Sequence, residues 1–277
     1  MAHSGTWSLA PPAARVELVL VVLAMWLALA AIPLGLGGIG IGWDSLNHHA
    51  YLGWTAFNPR FDRDWLAAGH QATTWPYLYW PFYKLVALQV PGMWAGAVLV
   101  SLHVLAVPAL WIIARACVPD RSWEATALRA GAVLLAFLGQ LTLSLMDTTA
   151  NDLYAASPLV WSVAIGILAC RPPEAAGWLT PVRAVVLSGI LSGVAVAFKF
   201  SNGPLVLALP LIWALVPGTP LQRLLAVVRG TAWSMAAFIV AYGWWGWQLW
   251  ELTGNPIYPF LEGEFTILRE QAGWRQP

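Results

Sequence analysis

Asp44, Asn47, His48 and Tyr51 stand at i, i+3, i+4 and i+7 within Trp43-Asp44-Ser45-Leu46-Asn47-His48-His49-Ala50-Tyr51-Leu52-Gly53-Trp54. On a helix this spacing gathers a carboxylate, an amide, an imidazole and a phenol on one face. Leu46, Ala50 and Trp54 fall on the other side. The stretch directly follows a long apolar run, so it sits at a membrane boundary. It is either an interfacial helix with a wet face or a reaction site. As chemistry, Asp44 suits a general base facing an acceptor hydroxyl, because a carboxylate in a water-poor layer meets few competing waters. Asp44 equally suits an N-terminal helix cap. His48 could tune Asp44 or, when protonated, hold an anionic phosphate; His48 and His49 also fit as polar residues of an interfacial helix. Asp44 and His48 form a possible divalent-metal pair at i, i+4, but two ligands are a weak signal, and no cofactor is implied.

The elements that must position these groups are membrane helices. The chain has 277 residues, 59% hydrophobic and 10% charged, where a soluble domain carries about 25% charged residues. A net charge of +1 gives no reason to expect a nucleic-acid partner. Cys117 and Cys170 imply neither a disulfide framework nor a metal site. Nineteen tryptophans suit membrane–water interfaces, where the ring is apolar and its N–H stays wet.

Residues 1–15 read as a disordered N-terminus and 16–42 as the first apolar span, too long for a signal-peptide core. Gly35-Leu36-Gly37-Gly38-Ile39-Gly40 matches a dinucleotide-binding pattern by letters, but no strand precedes it; close packing of helix backbones is the better use. Residues 43–84 form a long loop with two short interfacial helices and the aromatic run Trp75–Tyr83. Six more apolar segments follow at about 88–114, 125–145, 153–170, 184–198, 204–217 and 230–250, giving about seven transmembrane helices in an all-α, polytopic membrane protein. The two segments flanking Lys199–Pro204 are short for a full span. Glu262 to Pro277 reads as a polar C-terminal tail.

The positive-inside rule fixes the orientation. With the N-terminus cytoplasmic, eight arginines fall inside: Arg15, Arg115, Arg121, Arg129, Arg171, Arg183, Arg223 and Arg229. Arg60, Arg63, Lys84 and Lys199 fall outside, with Asp44, Asp147 and Asp152. Ionisable groups at membrane depth are costly and mark function by default. Asp152 caps the fourth span or supplies a second carboxylate for a sugar hydroxyl or metal. Lys199 snorkels or neutralises a phosphate leaving group, as could Arg60 and Arg63, whose other reading is a solvated loop. Trp244-Trp245-Gly246-Trp247 forms an interfacial belt or stacks a sugar.

Trp43–Tyr51, Asn151-Asp152, Lys199-Phe200-Ser201-Asn202 and Gly254-Asn255-Pro256-Ile257-Tyr258-Pro259-Phe260 occur in this order, all on the outer side. In this the chain resembles the C-type glycosyltransferases (the GT-C superfamily) of bacterial membranes, over roughly residues 16–260. The resemblance implies transfer of a sugar from a polyprenyl-phosphate donor at the outer face of a bacterial inner (plasma) membrane. It places Asp44 at the family's catalytic acidic position, with His48 beside it. Asn47, Tyr51, Arg60, Arg63, Asp152, Lys199 and Asn202 become candidate substrate-binding residues. Such enzymes usually continue with more helices or an outer domain, so a protein partner supplying that part is a further expectation. A transporter or lipid flippase, or a non-catalytic partner of a larger transferase, are the rival readings.

Overall fold

The computed structural model describes residues 13–58, 60, 64, 69–172 and 177–274, and these are helical, without strands. Arg63 and most of residues 1–15 lie outside them. Helix α1 is Ala14–Leu36. Trp43 to Thr55 is one helical stretch in which Ser45–His49 is wound as a π-helix, followed by α2 (Ala50–Thr55). Two 3₁₀ turns, Gly69–Thr73 and Pro76–Tyr79, lead to α3 (Trp80–Ala87). Then come α4 (Gly92–His103), α5 (Val107–Cys117), α6 (Trp123–Leu135), α7 (Gln140–Ser144), α8 (Asp152–Ala169) and α9 (Pro181–Phe198). The chain continues through α10 (Gly203–Val206), α11 (Leu209–Trp213), α12 (Pro220–Thr253) and α13 (Glu262–Ala272).

Five helical segments are long and apolar enough to cross a membrane: α1, the joined α4–α5, α8, α9 and α12. They are those of a membrane protein. Their outer faces carry exposed apolar side chains such as Leu27 on α1 and Val240 on α12. At 1.5 Å per residue, the 34 residues of α12 extend about 50 Å, more than the roughly 30 Å hydrocarbon layer.

The other two apolar segments are broken. Pro210 enters α11 at its second position; without an N–H it cannot continue the ladder from α10. The 125–145 segment stops at Leu135 and restarts after Gly139, which is extended at φ −61°, ψ 138°. Each still runs the length of its neighbours. Arg129 on α6 bonds Glu17 at the start of α1, while the Asp147 carbonyl accepts from Gly40 N–H beyond the end of α1. Asn202 bonds the Ala155 carbonyl at one end of α8, and the Cys170 thiol donates to the Ile212 carbonyl at the other.

The termini of the helices follow local chemistry. Thr219 and Gln222 form a reciprocal capping box at α12, with Pro220 in the first turn. Gly37, at φ 78°, ends α1, since a left-handed C-cap favours glycine. The 35–40 glycines thus stop the helix, although Gly38 and Gly92 do bring two backbones close. One core joins α1, α4, α5 and α6 through Met25, Val100, Val107 and Val133. A second joins α8, α9, α11 and α12 around Trp213. In the second core Gly189 and Gly193 face the α12 backbone, where a Cβ would collide.

The stretch expected as a polar tail is instead partly helical. In α13, Arg269 is buried; it donates to the Thr253 carbonyl and pairs with Glu262. Asn255 donates to the Phe260 carbonyl and to Glu262. Together they pin the 254–260 turn against the end of α12. Burial pushes the Glu262 carboxyl up, but the Arg269 and Asn255 hydrogen bonds outweigh it and hold it below its usual range.

Candidate functional site

A cavity of about 550 Å³ opens at the end of the bundle away from the N-terminus of α1. Asp44, His48, Asp152 and Lys199 all line it. So do parts of the four segments singled out in the sequence: the 43–84 loop, the turn before α8, the Lys199–Pro204 turn and Tyr258–Phe260. Two side-chain donors of the bundle help hold the loop over it. Tyr154 on α8 donates to the Leu78 carbonyl at 2.7 Å, and Trp245 on α12 donates to the Thr73 carbonyl at 2.9 Å. Gly53 lets the first loop helix meet the second: a Cβ there would lie 2.5 Å from the Tyr79 carbonyl oxygen.

The π-helix sets which side chains turn inward. Ala50 N–H reaches the Ser45 carbonyl, five residues back, so each turn holds more than 3.6 residues and the expected α-helical stripe splits. Ser45, His48 and His49 are buried. Asn47 and Tyr51 lie outside the cavity lining, with the Tyr51 hydroxyl 3.5 Å from the Asp64 carbonyl. Asp44 remains at the cavity with its side chain 63% exposed. It makes no capping hydrogen bond, so the cap reading gains nothing here.

His48 Nδ1 lies 3.8 Å from Asp44 Oδ1 and is buried without a hydrogen-bond partner among the described residues. Burial, aided by nearby Lys199 and opposed by Asp44, lowers its basicity. The neutral imidazole is therefore favoured, which weakens the expectation of a charged phosphate ligand. His49 Nδ1 is 2.6 Å from Thr149 Oγ1, which is 2.7 Å from Ser45 Oγ. Burial, chiefly, pushes His49 down to about 4, and the neighbouring His48 opposes a second proton there. Tyr79 stacks on His49 with ring centroids 4.7 Å apart, and burial pushes its hydroxyl up to about 12.

Lys199 Nζ is 2.5 Å from Asp152 Oδ1 and 3.3 Å from Asn151 Oδ1. This pair holds an ammonium at the cavity wall. The partners stay 32% and 50% exposed, so solvent and ligand can reach them. Asn202 is buried, and its amide donates to the Ala155 and Ala195 carbonyls. It ties α8 to the end of α9 and is outside the cavity lining. Arg60 pairs with Asp64 at 2.7 Å, away from the cavity, and Arg63 lies outside the described residues. Of the tryptophan cluster, Trp244 and Trp247 are exposed while Trp245 is buried under the loop. No three His, Cys, Asp or Glu side chains converge as a metal site among the described residues.

His49, Thr149, Tyr79 and the aromatic wall of Trp75, Phe198, Phe200 and Tyr242 were not singled out as site residues. Counting the 45–49 turn at i, i+4 would have paired Ser45 with His49; the aromatic wall comes from helices far apart in sequence. No family model matches the chain, and neither a curated protein nor a solved structure does.

Proposed function

We propose that the chain is a membrane glycosyltransferase that moves a sugar from a polyprenyl-phosphate donor to a hydroxyl acceptor, at the outer face of a bacterial plasma membrane. The observation that carries this reading is the cavity at one end of an apolar bundle, where Asp44, His48 and the Asp152–Lys199 pair meet an aromatic wall. Aromatic rings offer faces for a sugar, and carboxylates offer acceptors for its hydroxyls. In the proposed step Asp44 takes the proton of the acceptor hydroxyl. The acceptor oxygen bonds the anomeric carbon as the bond to the donor phosphate oxygen breaks, inverting that centre. The phosphate leaves on its lipid, and Lys199, held by Asp152, balances the charge it gains.

We also propose that the two broken segments complete seven crossings, with the N-terminus cytoplasmic. The end-to-end contacts of residues 123–147 and 200–213 support this count, and the arginines near the start of α1 support the orientation. One observation favours a transporter: interrupted helices are common at transporter sites. Here, though, the cavity and its charges gather at one end of the bundle.

The test uses the purified full chain in liposomes with labelled polyprenyl-phosphate sugars, measuring label transfer and release of polyprenyl phosphate. Transfer with an inverted product is the expected result. Movement of labelled lipid between leaflets with no bond cleavage would replace this reading with the transporter. Activity only after a larger transferase is added would assign a partner role.

A further inference from the structure

At the opposite end of the bundle, three arginines from three different helical segments converge. Arg15 on α1, Arg115 on α5 and Arg171 just after α8 line one groove of about 320 Å³, whose remaining wall includes Leu18, Trp111 and Ile112. No carboxylate lines it among the described residues. The contrast with its neighbour is informative. Arg129, in the adjoining cavity that Arg115 also borders together with Glu17 and Asp120, is buried and fully engaged by Glu17 and two backbone carbonyls. Arg15, Arg115 and Arg171 make no ion pair with any described residue. The Arg115 guanidinium is set over the Trp111 ring at 5.2 Å, which fixes its direction.

Positive charge at this end alone would satisfy the orientation rule. The shape asks for more. Arg15, Val19 and Leu23 stand at i, i+4 and i+8 on α1, and Val19 and Leu23 are exposed. A cationic groove thus continues into an apolar stripe down the outside of α1. We infer that this groove binds the phosphate head group of an anionic phospholipid, with an acyl chain along the α1 stripe. Guanidinium groups suit phosphate oxygens as paired donors, and basic pockets between membrane helices suit such head groups. The ligand chemistry, a phosphate ester, could also come from a soluble phosphate, so the test includes both.

The experiment uses the purified full chain in detergent and titrates phosphatidylglycerol, phosphatidylcholine and glycerol phosphate, with native mass spectrometry counting retained molecules. Phosphatidylglycerol is expected to bind at least tenfold tighter than either of the others. Arg15→Gln with Arg115→Gln is expected to weaken it at least tenfold, about 1.4 kcal/mol. Arg223→Gln, which changes one charge at the same end but outside the groove, is expected to stay within twofold. Arg171→Gln removes one charge from a half-buried site and is expected to weaken binding several-fold, so the test survives if the double variant does not fold. Equal loss in Arg223→Gln, or no loss in Arg171→Gln, overturns the site. Phosphatidylcholine binding as tightly as phosphatidylglycerol does the same. Glycerol phosphate binding as tightly overturns the lipid assignment.

Discussion

Replacing Glu17 with Ala is expected to destabilise the fold by about 3 kcal/mol. The carboxylate lies in the first turn of α1 and is only 4% exposed, and Arg129 is 3% exposed. Glu17 accepts from Arg129 Nε at 2.6 Å, Arg129 Nη2 at 2.8 Å and Trp111 Nε1 at 2.9 Å. Its removal leaves a buried guanidinium without its counter-charge and an indole N–H without an acceptor. Breaking a buried pair from one side costs about 3–5 kcal/mol. Arg129 Nη1 keeps the Val118 and Asp120 carbonyls, which argues for the lower end. For a chain of this size that is a fall in Tm of about 6–12 °C. Thermal unfolding of purified protein in mild detergent, followed by circular dichroism, measures it. Replacing both partners, Glu17→Leu with Arg129→Met, removes the stranded charge and is expected to recover more than half of the loss. A Glu17→Ala protein melting within 1 °C of the parent, or a double variant worse than the sum of the singles, refutes the reasoning.

Other outcomes separate site from scaffold. Lys199→Gln is expected to leave Tm nearly unchanged, since an exposed pair contributes under about 1 kcal/mol, while transfer falls about 100-fold; transfer rates and melting curves on one preparation decide it. Asn202→Ala is expected to cost about 1–3 kcal/mol with transfer per folded molecule nearly intact, read the same way. For His49 the sign is set by its depressed folded value. Its stabilising contribution is complete above the ordinary histidine value of 6.5 and is lost as pH falls from there to about 4. The Tm difference between the parent and His49→Asn is therefore expected to shrink across that window, and a constant difference would count against the burial of His49.

The sequence carried the class of the fold because apolar runs report membrane helices directly. It also carried Asp44, His48, Asp152 and Lys199, which line the cavity, since polar groups at helix ends stand out against an apolar background. It did not carry the register of the first loop helix. In the π-helical turn Ser45 and His49 meet Thr149 across the bundle, 104 and 100 residues away, and no local pattern encodes that contact. Asn202 was a candidate through the Lys199–Asn202 motif of the resemblance; only its two carbonyl partners mark it as a tie between helices. Arg269 was hidden in a stretch whose polarity reads as solvated, although with Glu262 and Asn255 it pins the 254–260 turn. The breaks at Gly139 and Pro210 were visible as residues, yet hydropathy averages across them.

The most direct measurement compares Asp44→Asn with the parent for sugar transfer in liposomes. The substitution keeps the shape of an exposed side chain, so Tm and lipid retention should be unchanged. Losing a general base is expected to lower transfer at least about 100-fold. Turnover within twofold of the parent contradicts the assignment of Asp44, and with it the proposed reaction.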